Sequence, residues 1–288
     1  MQQETPLPPR KRFETLRRVL KNKKCTFGLA LVLIFVALAI LAPLITSYPP
    51  DLQDLTQSLS PPSSTHILGT DILGRDLFSR IVYGARISIF IAVASIGLAL
   101  GVSIPLGVIS GYYGGLLDQI IMRIIDVLMA FPSILLAILF VSVLGTGLNN
   151  LIIAIGIFTI PTFVRLIRAS ALAIKEEEYI MAAKALGERN SSIIIRYVLP
   201  NCLPVIVVQS TLRLGISILT AAGLGFLGIG VQPPLPEWGL MVSEAKDFLL
   251  TSPYVIVFPC IAIMLFTLGF NFFGDGLNDV LNPRLKDE

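Results

Sequence analysis

Six apolar runs, each long enough to cross a lipid bilayer, set the limits on how this chain folds. They lie at about 27–46, 88–110, 120–144, 149–170, 203–228 and 253–273. A bilayer core is about 30 Å thick, and a helix needs about 20 mostly apolar residues to span it. A membrane barrel strand alternates over about ten residues, whereas these runs are apolar throughout. The fold class expected is all-α: a membrane protein of about six transmembrane helices. Composition removes the water-soluble alternative. Only 14% of the 288 residues are charged, against roughly 25% in soluble domains, and the mean hydropathy is +0.80. Too few polar groups remain to cover a surface in water, which excludes a disordered chain, a collagen-like fibre and an ordinary cytosolic enzyme.

Prolines and glycines punctuate the runs. Pro43 and Pro49-Pro50 close the first, Gly111-Tyr112-Tyr113-Gly114-Gly115 the second and Gly145-Thr146-Gly147 the third. Pro132 and Pro161 lie inside the third and fourth, and they predict bends in a packed bundle whose neighbours re-satisfy the freed carbonyls. Lys and Arg set the orientation. Arg10, Lys11, Arg12, Arg17, Arg18, Lys21, Lys23 and Lys24 precede the first run. Arg165, Arg168, Lys175, Lys184, Arg189 and Arg196 flank the loop between runs four and five, and Arg123, Arg284 and Lys286 fall on the same side. Against these seventeen, only Arg75, Arg80, Arg86 and Lys246 fall on the other side. The bias predicts a multi-pass protein of the plasma (inner) membrane with both termini cytoplasmic and loops about 47–87 and 229–252 outside. The first run reads as a signal anchor rather than a cleaved signal peptide, because its leader is long and the run itself spans. Phe13, Leu16 and Leu20 give that leader an apolar face suited to an anionic membrane surface. The chain divides into a basic cytoplasmic tail (1–26), a transmembrane domain (27–275) and a second cytoplasmic tail (276–288).

Absences decide the class of chemistry. No Gly-Lys dipeptide occurs, so the chain has no phosphate-cradling P-loop. It has one histidine, His66, and three cysteines, Cys25, Cys202 and Cys260, in or beside apolar runs. These read as small buried hydrophobes, not as a disulfide framework or a zinc site. Asp126 and the Gly274-Asp275-Gly276 turn lie near span ends, where acids are solvated, and their surroundings do not fit an intramembrane protease. No catalytic residue, metal ligand set or cofactor is assigned, and the chain reads as a non-catalytic protein.

One cytoplasmic segment, about 175–200, stands out. Lys175-Glu176-Glu177-Glu178 opens a stretch of strong helix formers with acids in its first turn, and Gly187 suits its C-terminal cap. Ala182 and Ala183 leave a face that another surface can approach closely. A second helix restarts after Asn190-Ser191, which can cap it, and is expected to stop at Leu199-Pro200. Helix, glycine turn, helix makes a knob for a groove in a soluble partner. An ordinary inter-span loop carries the same pattern.

The small pair Ala182-Ala183, Gly187 four residues after Ala183, and the Leu199-Pro200 dipeptide resemble the E-A-A loop of ABC importer permeases. In that family the loop forms coupling helices that dock into ATPase subunits. The resemblance implies that role for Glu178, Ala182, Ala183, Gly187, Leu199 and Pro200. The motif's glutamate position is Met181 here, with the nearest acid at Glu178. Further stretches resemble the dipeptide, oligopeptide and nickel permease group. They are His66 to Arg80, Gly84-Ala85-Arg86-Ile87-Ser88, Asp126 to Pro132, Phe226 to Pro234, Pro236-Glu237-Trp238-Gly239, Gly274-Asp275-Gly276-Leu277 and Asn282-Pro283-Arg284-Leu285. Together they resemble the second, C-type subunit of such an importer over most of the chain from His66 onward.

The resemblance implies a type I permease-like bundle that forms half of a pore for di- or oligopeptides. Its partners are then a homologous second permease subunit, two ABC ATPase subunits, an extracytoplasmic substrate-binding protein and membrane lipid, with no nucleic acid. ATP-Mg is expected in the partner subunits alone. A nickel-chelate or other small-solute permease is the alternative, and a secondary transporter or channel a further one. That last class places ionisable residues at mid-membrane, often in repeated halves; this chain shows no convincing repeat and only Arg213 clearly mid-span.

Arg213 carries a charge that costs about 2.5–3.5 kcal/mol at a helix centre by insertion scales, so it is expected to face another subunit or a watery path. Asp76 and Arg80, spaced i,i+4, read as a solvated helix pair outside the membrane, with Arg75 beside them. Trp238, with Tyr254 nearby, reads as an interfacial anchor or as a gate that meets the incoming substrate. His66 alone is a weak nickel ligand.

Overall fold

The computed structural model describes residues 19–281. Among these the secondary structure is helical, and the only β-type pairing is an isolated bridge between Thr70 and Asp76. Helix α1 (Lys23–Ile45) starts at Asn22, whose side chain accepts from the Lys24 and Cys25 amides. Helix α2 (Leu77–Tyr113) starts at Asp76, whose carboxylate accepts from the Ser79 amide at 2.7 Å. Both are side-chain N-caps that satisfy amides a helix leaves orphaned. Then follow α3 (Gly115–Met129), α4 (Ser133–Leu144), α5 (Leu148–Lys175), α6 (Glu178–Ala185), α7 (Asn190–Phe226), α8 (Trp238–Ala245) and α9 (Tyr254–Leu281).

Five of these helices, α1, α2, α5, α7 and α9, are long and apolar enough to cross a membrane, and the bent pair α3–α4 brings the number to six where it counts as one broken span. The third run is therefore not one helix. Its halves meet at 90°, with the break at Ala130 to Pro132. Pro132 has no amide to donate, and it pushes Phe131 away from helical backbone.

Proline does the opposite at Pro200. The helix was expected to stop there, yet α7 runs unbroken to Phe226. A π turn over Ile194–Val198 precedes the proline, and the helix continues through it. The start of α7 also differs from expectation: Arg189 is the N-cap, and no side chain caps the helix. Pro43 in α1 shows how a neighbour repairs such damage. Its absent amide frees the Ala39 carbonyl, and Arg86 of α2 donates to that oxygen and to Ile40 O.

Small residues let the spans approach. A Cβ added to Gly107 or Gly111 of α2 would lie 2.7 Å from the Cβ of Ile167 or Ala171 of α5. Helix α9 packs on α1 in the same way, with Gly276 against Cys25. Cys25 and Cys202 are buried as expected, but Cys260 is exposed on α9.

The contacts sort the loops to two ends. Arg75 reaches Glu244, and the Gly147 amide donates to Gly230 O at 3.2 Å, which groups the 47–76 segment, the 145–147 turn and the 228–253 loop. At the other end Tyr112 donates to Asn190 and Lys24 meets Asp279, which groups the α2–α3 turn, the 176–190 segment and both described termini.

Candidate functional site

The knob at the second end is built by burial of one face of α6. Ile180 and Ala183 pack into a core with Phe163, Ile167 and Ala171 of α5, Ile193 at the start of α7, and Val198 and Cys202 further along it. The opposite face, Met181, Ala182, Ala185 and Leu186, is open, and Leu186 is 88% exposed. Spacing alone does not tell these faces apart, because Ala182 and Ala183 are equally small. The expectation that both alanines present themselves to a partner is thus corrected: Ala183 faces the chain's own core, and Ala182 faces out. Glu178 is exposed in the first turn of α6.

Gly187 takes the left-handed conformation expected of it, with φ +80°. The Glu188 amide donates to Ala183 O at 3.1 Å and the Gly187 amide to Lys184 O at 3.0 Å. This is a Schellman cap, which satisfies the last carbonyls of α6 and aims the chain into α7. Lys184 stands over the Tyr112 ring, and Tyr112 donates to Asn190 at 2.8 Å, so α2 pins both sides of the turn. Leu199 is half-buried against the same core, while Pro200 is exposed inside the continuous α7.

Midway along α7, Arg213 borders a cavity of about 250 Å³ formed with the α3–α4 break and with Phe158, Pro161 and Thr162 of α5. Its Nε is shielded from solvent and has no hydrogen-bond partner. Asp126 of α3 and Arg165 of α5, paired at 2.5 Å, lie near the same wall and are about half-exposed. Closer to the knob, Arg168 grips Asp118 with two bonds of 2.6 Å.

At the first end the polar residues are structural. Arg75 and Arg80, expected in water, are 1% and 0% exposed. Arg75 pairs with Asp71 at 2.6 Å and with Glu244 at 2.8 Å, and Arg80 approaches both carboxylates at 3.4 Å. Asp76 is also buried; it caps α2 and binds His66 Nδ1 at 2.9 Å instead of pairing with Arg80. His66 stacks near Tyr48, and its ring is occupied by these contacts. Trp238 does not lie at an exposed edge. It is fully buried among Phe35 and Phe266, with its indole N–H donating to Ile81 O at 3.0 Å.

Glu237, which sequence reasoning passed over, holds α8 in place. It is 1% exposed and accepts from the Gly239 and Leu240 amides at 2.9 and 2.8 Å. Burial pushes its carboxyl above the usual range, and the two amides pull it back only in part. Its position before Trp238-Gly239 is an N-cap signal that the recognisable motif hides.

Comparison with known proteins places this arrangement. The family described as binding-protein-dependent transport system inner membrane component matches residues 103–287, from the middle of α2 to the end of the chain. The chain belongs to that family. A second family, described as the N-terminal TM domain of oligopeptide transport permease C, matches residues 13–62. The dipeptide transport system permease protein of Alkalihalophilus pseudofirmus is 48% identical over 95% of this chain and 90% of its own length. The glutathione transport system permease protein of Pectobacterium atrosepticum is 44% identical over 95% of this chain and 91% of its own. The fold resembles a solved chain of the inward-facing MetNI methionine ABC transporter, with a TM-score of 0.59 at 18% identity over 72% of this chain and 98% of that one. The all-α permease bundle is thus an ABC importer permease fold, and the family's members are membrane subunits of multi-chain transporters.

Proposed function

We propose that this permease forms half of the path of a peptide importer and receives its driving force through the α6 knob. The single observation that carries the substrate class is its identity of 44–48% to permeases named for dipeptide and glutathione transport, along nearly the whole chain. The open apolar face of α6 supports the coupling role, because Met181, Ala182 and Leu186 are exposed after the end of α5. On this reading a homologous permease completes the pore, two ABC ATPases bind the knobs, and an extracytoplasmic binding protein delivers the peptide. ATP-Mg belongs to the ATPases, and this chain holds none of the chemistry. On this reading the knob and both termini lie in the cytoplasm, which the excess of Lys and Arg on that side supports.

Coupling then follows from linkage. ATP binding shifts the pore between its states only if the knob binds the two ATPase states with different free energy. The test is reconstitution of the transporter purified from native membrane with its binding protein. ATP-dependent uptake of a radiolabelled dipeptide or glutathione supports the reading. Uptake by this chain alone, or a complex that moves nickel chelates and no peptide, sinks it.

A further inference from the structure

The cavity beside Arg213 joins open space to a charge that no carboxylate among the described residues pairs with. Met129 and Phe131 from the α3–α4 break, Phe158, Pro161 and Thr162 from α5, and Arg213 itself line about 250 Å³. The lining is otherwise uncharged. Among the described residues none of the ion pairs includes Arg213, and its Nε makes no hydrogen bond.

A second observation is a further charged pair close to this wall. Arg165 follows Thr162 by three residues, about one helical turn, and pairs with Asp126, two residues before Leu128 of the same lining; both are about half-exposed. An open charged pair between α3 and α5 favours a polar path along this side of the bundle over a purely acyl surrounding. Asp126 is neutralised by Arg165. Arg213 is not, and it makes the cavity a site for an anion.

We propose that this cavity reads the carboxylate of the solute in transit, with the Arg213 guanidinium as its donor. The proposal rests on the peptide-permease reading and goes further by naming the group recognised and the residue that recognises it. A guanidinium presents a planar fork that matches a carboxylate with two parallel, charge-assisted bonds. Every peptide with a free C-terminus carries such a group, whatever its side chains, so one arginine can serve a broad range of peptides. The site has one charged donor, which suits passage: the solute must bind well enough to enter and weakly enough to leave.

The experiment uses the assembled transporter in proteoliposomes with its binding protein, and dialanine and glutathione as probes. Arg213→Gln is expected to lower the maximal uptake rate by about ten- to a hundred-fold, the size of a lost charge-assisted interaction. The half-saturating concentration, set by the binding protein, should hold. Arg213→Lys should recover part of the rate. Arg213→Cys, made with the three native cysteines replaced, separates charge from packing. A thiol reagent that appends an ammonium should restore uptake, and a neutral reagent of the same size should not. Dialanine should protect that cysteine from labelling, and its C-terminal amide should not.

Full-rate uptake by Arg213→Gln overturns the proposal, as does equal rescue by the neutral reagent. Loss of the second permease on purification of Arg213→Gln also overturns it, because Arg213 then serves an ion pair between subunits. A wild-type transporter that moves neither probe overturns the peptide reading itself, and that result appears before any variant is made.

Discussion

Ala183 shows how one residue's direction changes an experiment. A glutamate there enters the core formed by Ile180, Phe163 and Ile193, and an unpaired buried carboxylate costs several kcal/mol. Ala183→Glu should therefore lower the chain's own thermal stability in detergent. Ala182→Glu and Leu186→Glu, on the open face, should leave stability unchanged and abolish co-purification of the ATPases. If Ala183→Glu is as stable as the parent, the burial assigned to it is wrong. Glu237 makes a pH prediction. Its folded carboxyl titrates above the unfolded one, which has an ordinary value of 4.5, so the folded state binds the proton more tightly. The stabilisation is complete below about pH 4.5 and fades as pH rises through the folded value, at up to about 1.4 kcal/mol per pH unit. Glu237→Gln removes the titrating group, keeps an acceptor for one of the two amides that donate to separate carboxylate oxygens, and should flatten this slope. Melting temperatures of parent and variant across pH 4–8 check it; parallel curves would refute the assignment.

At the scale of elements, the turn between α6 and α7 depends on one backbone conformation. Nothing lies within 4 Å of a Cβ built on Gly187, so substitution there is resisted by the backbone alone. A β-branched residue at φ +80° costs roughly 1–2 kcal/mol, and Gly187→Val should uncouple ATP hydrolysis from substrate while insertion stays normal. Gly187→Asn, which tolerates the left-handed region better, should retain most coupling. Equal loss in both variants would point to a side-chain clash with a partner instead. At the same scale, prolines behave differently. Pro132 falls at the break between α3 and α4, whereas Pro200, like Pro43, Pro105, Pro161, Pro204 and Pro259, sits inside a continuous helix. Sequence shows the prolines and not which of them interrupts a span.

For the whole molecule, the two sets of loops must lie on opposite sides of the membrane. Ser58 and Ser191 are exposed at opposite ends. Replaced singly by cysteine in a background freed of the exposed Cys260, Ser58→Cys should react with an impermeant thiol reagent on intact cells. Ser191→Cys should react only after lysis. The reverse pattern would invert the orientation.

The sequence by itself determined the helical class and the family. These rest on local length, apolarity and short motifs, which need no knowledge of neighbours. It also marked the turn at Gly187, because a left-handed cap is a property of a few consecutive residues. Only the tertiary structure decided which charges are spent inside the fold and which are left for function. Arg75 and Arg80 form ion pairs with Asp71 and Glu244, His66 pairs with Asp76, and Trp238 disappears into an aromatic core. Arg213 alone among these candidates finds no partner in the described chain. Whether a polar group is satisfied depends on what packs against it from the rest of the chain, and no local pattern carries that information.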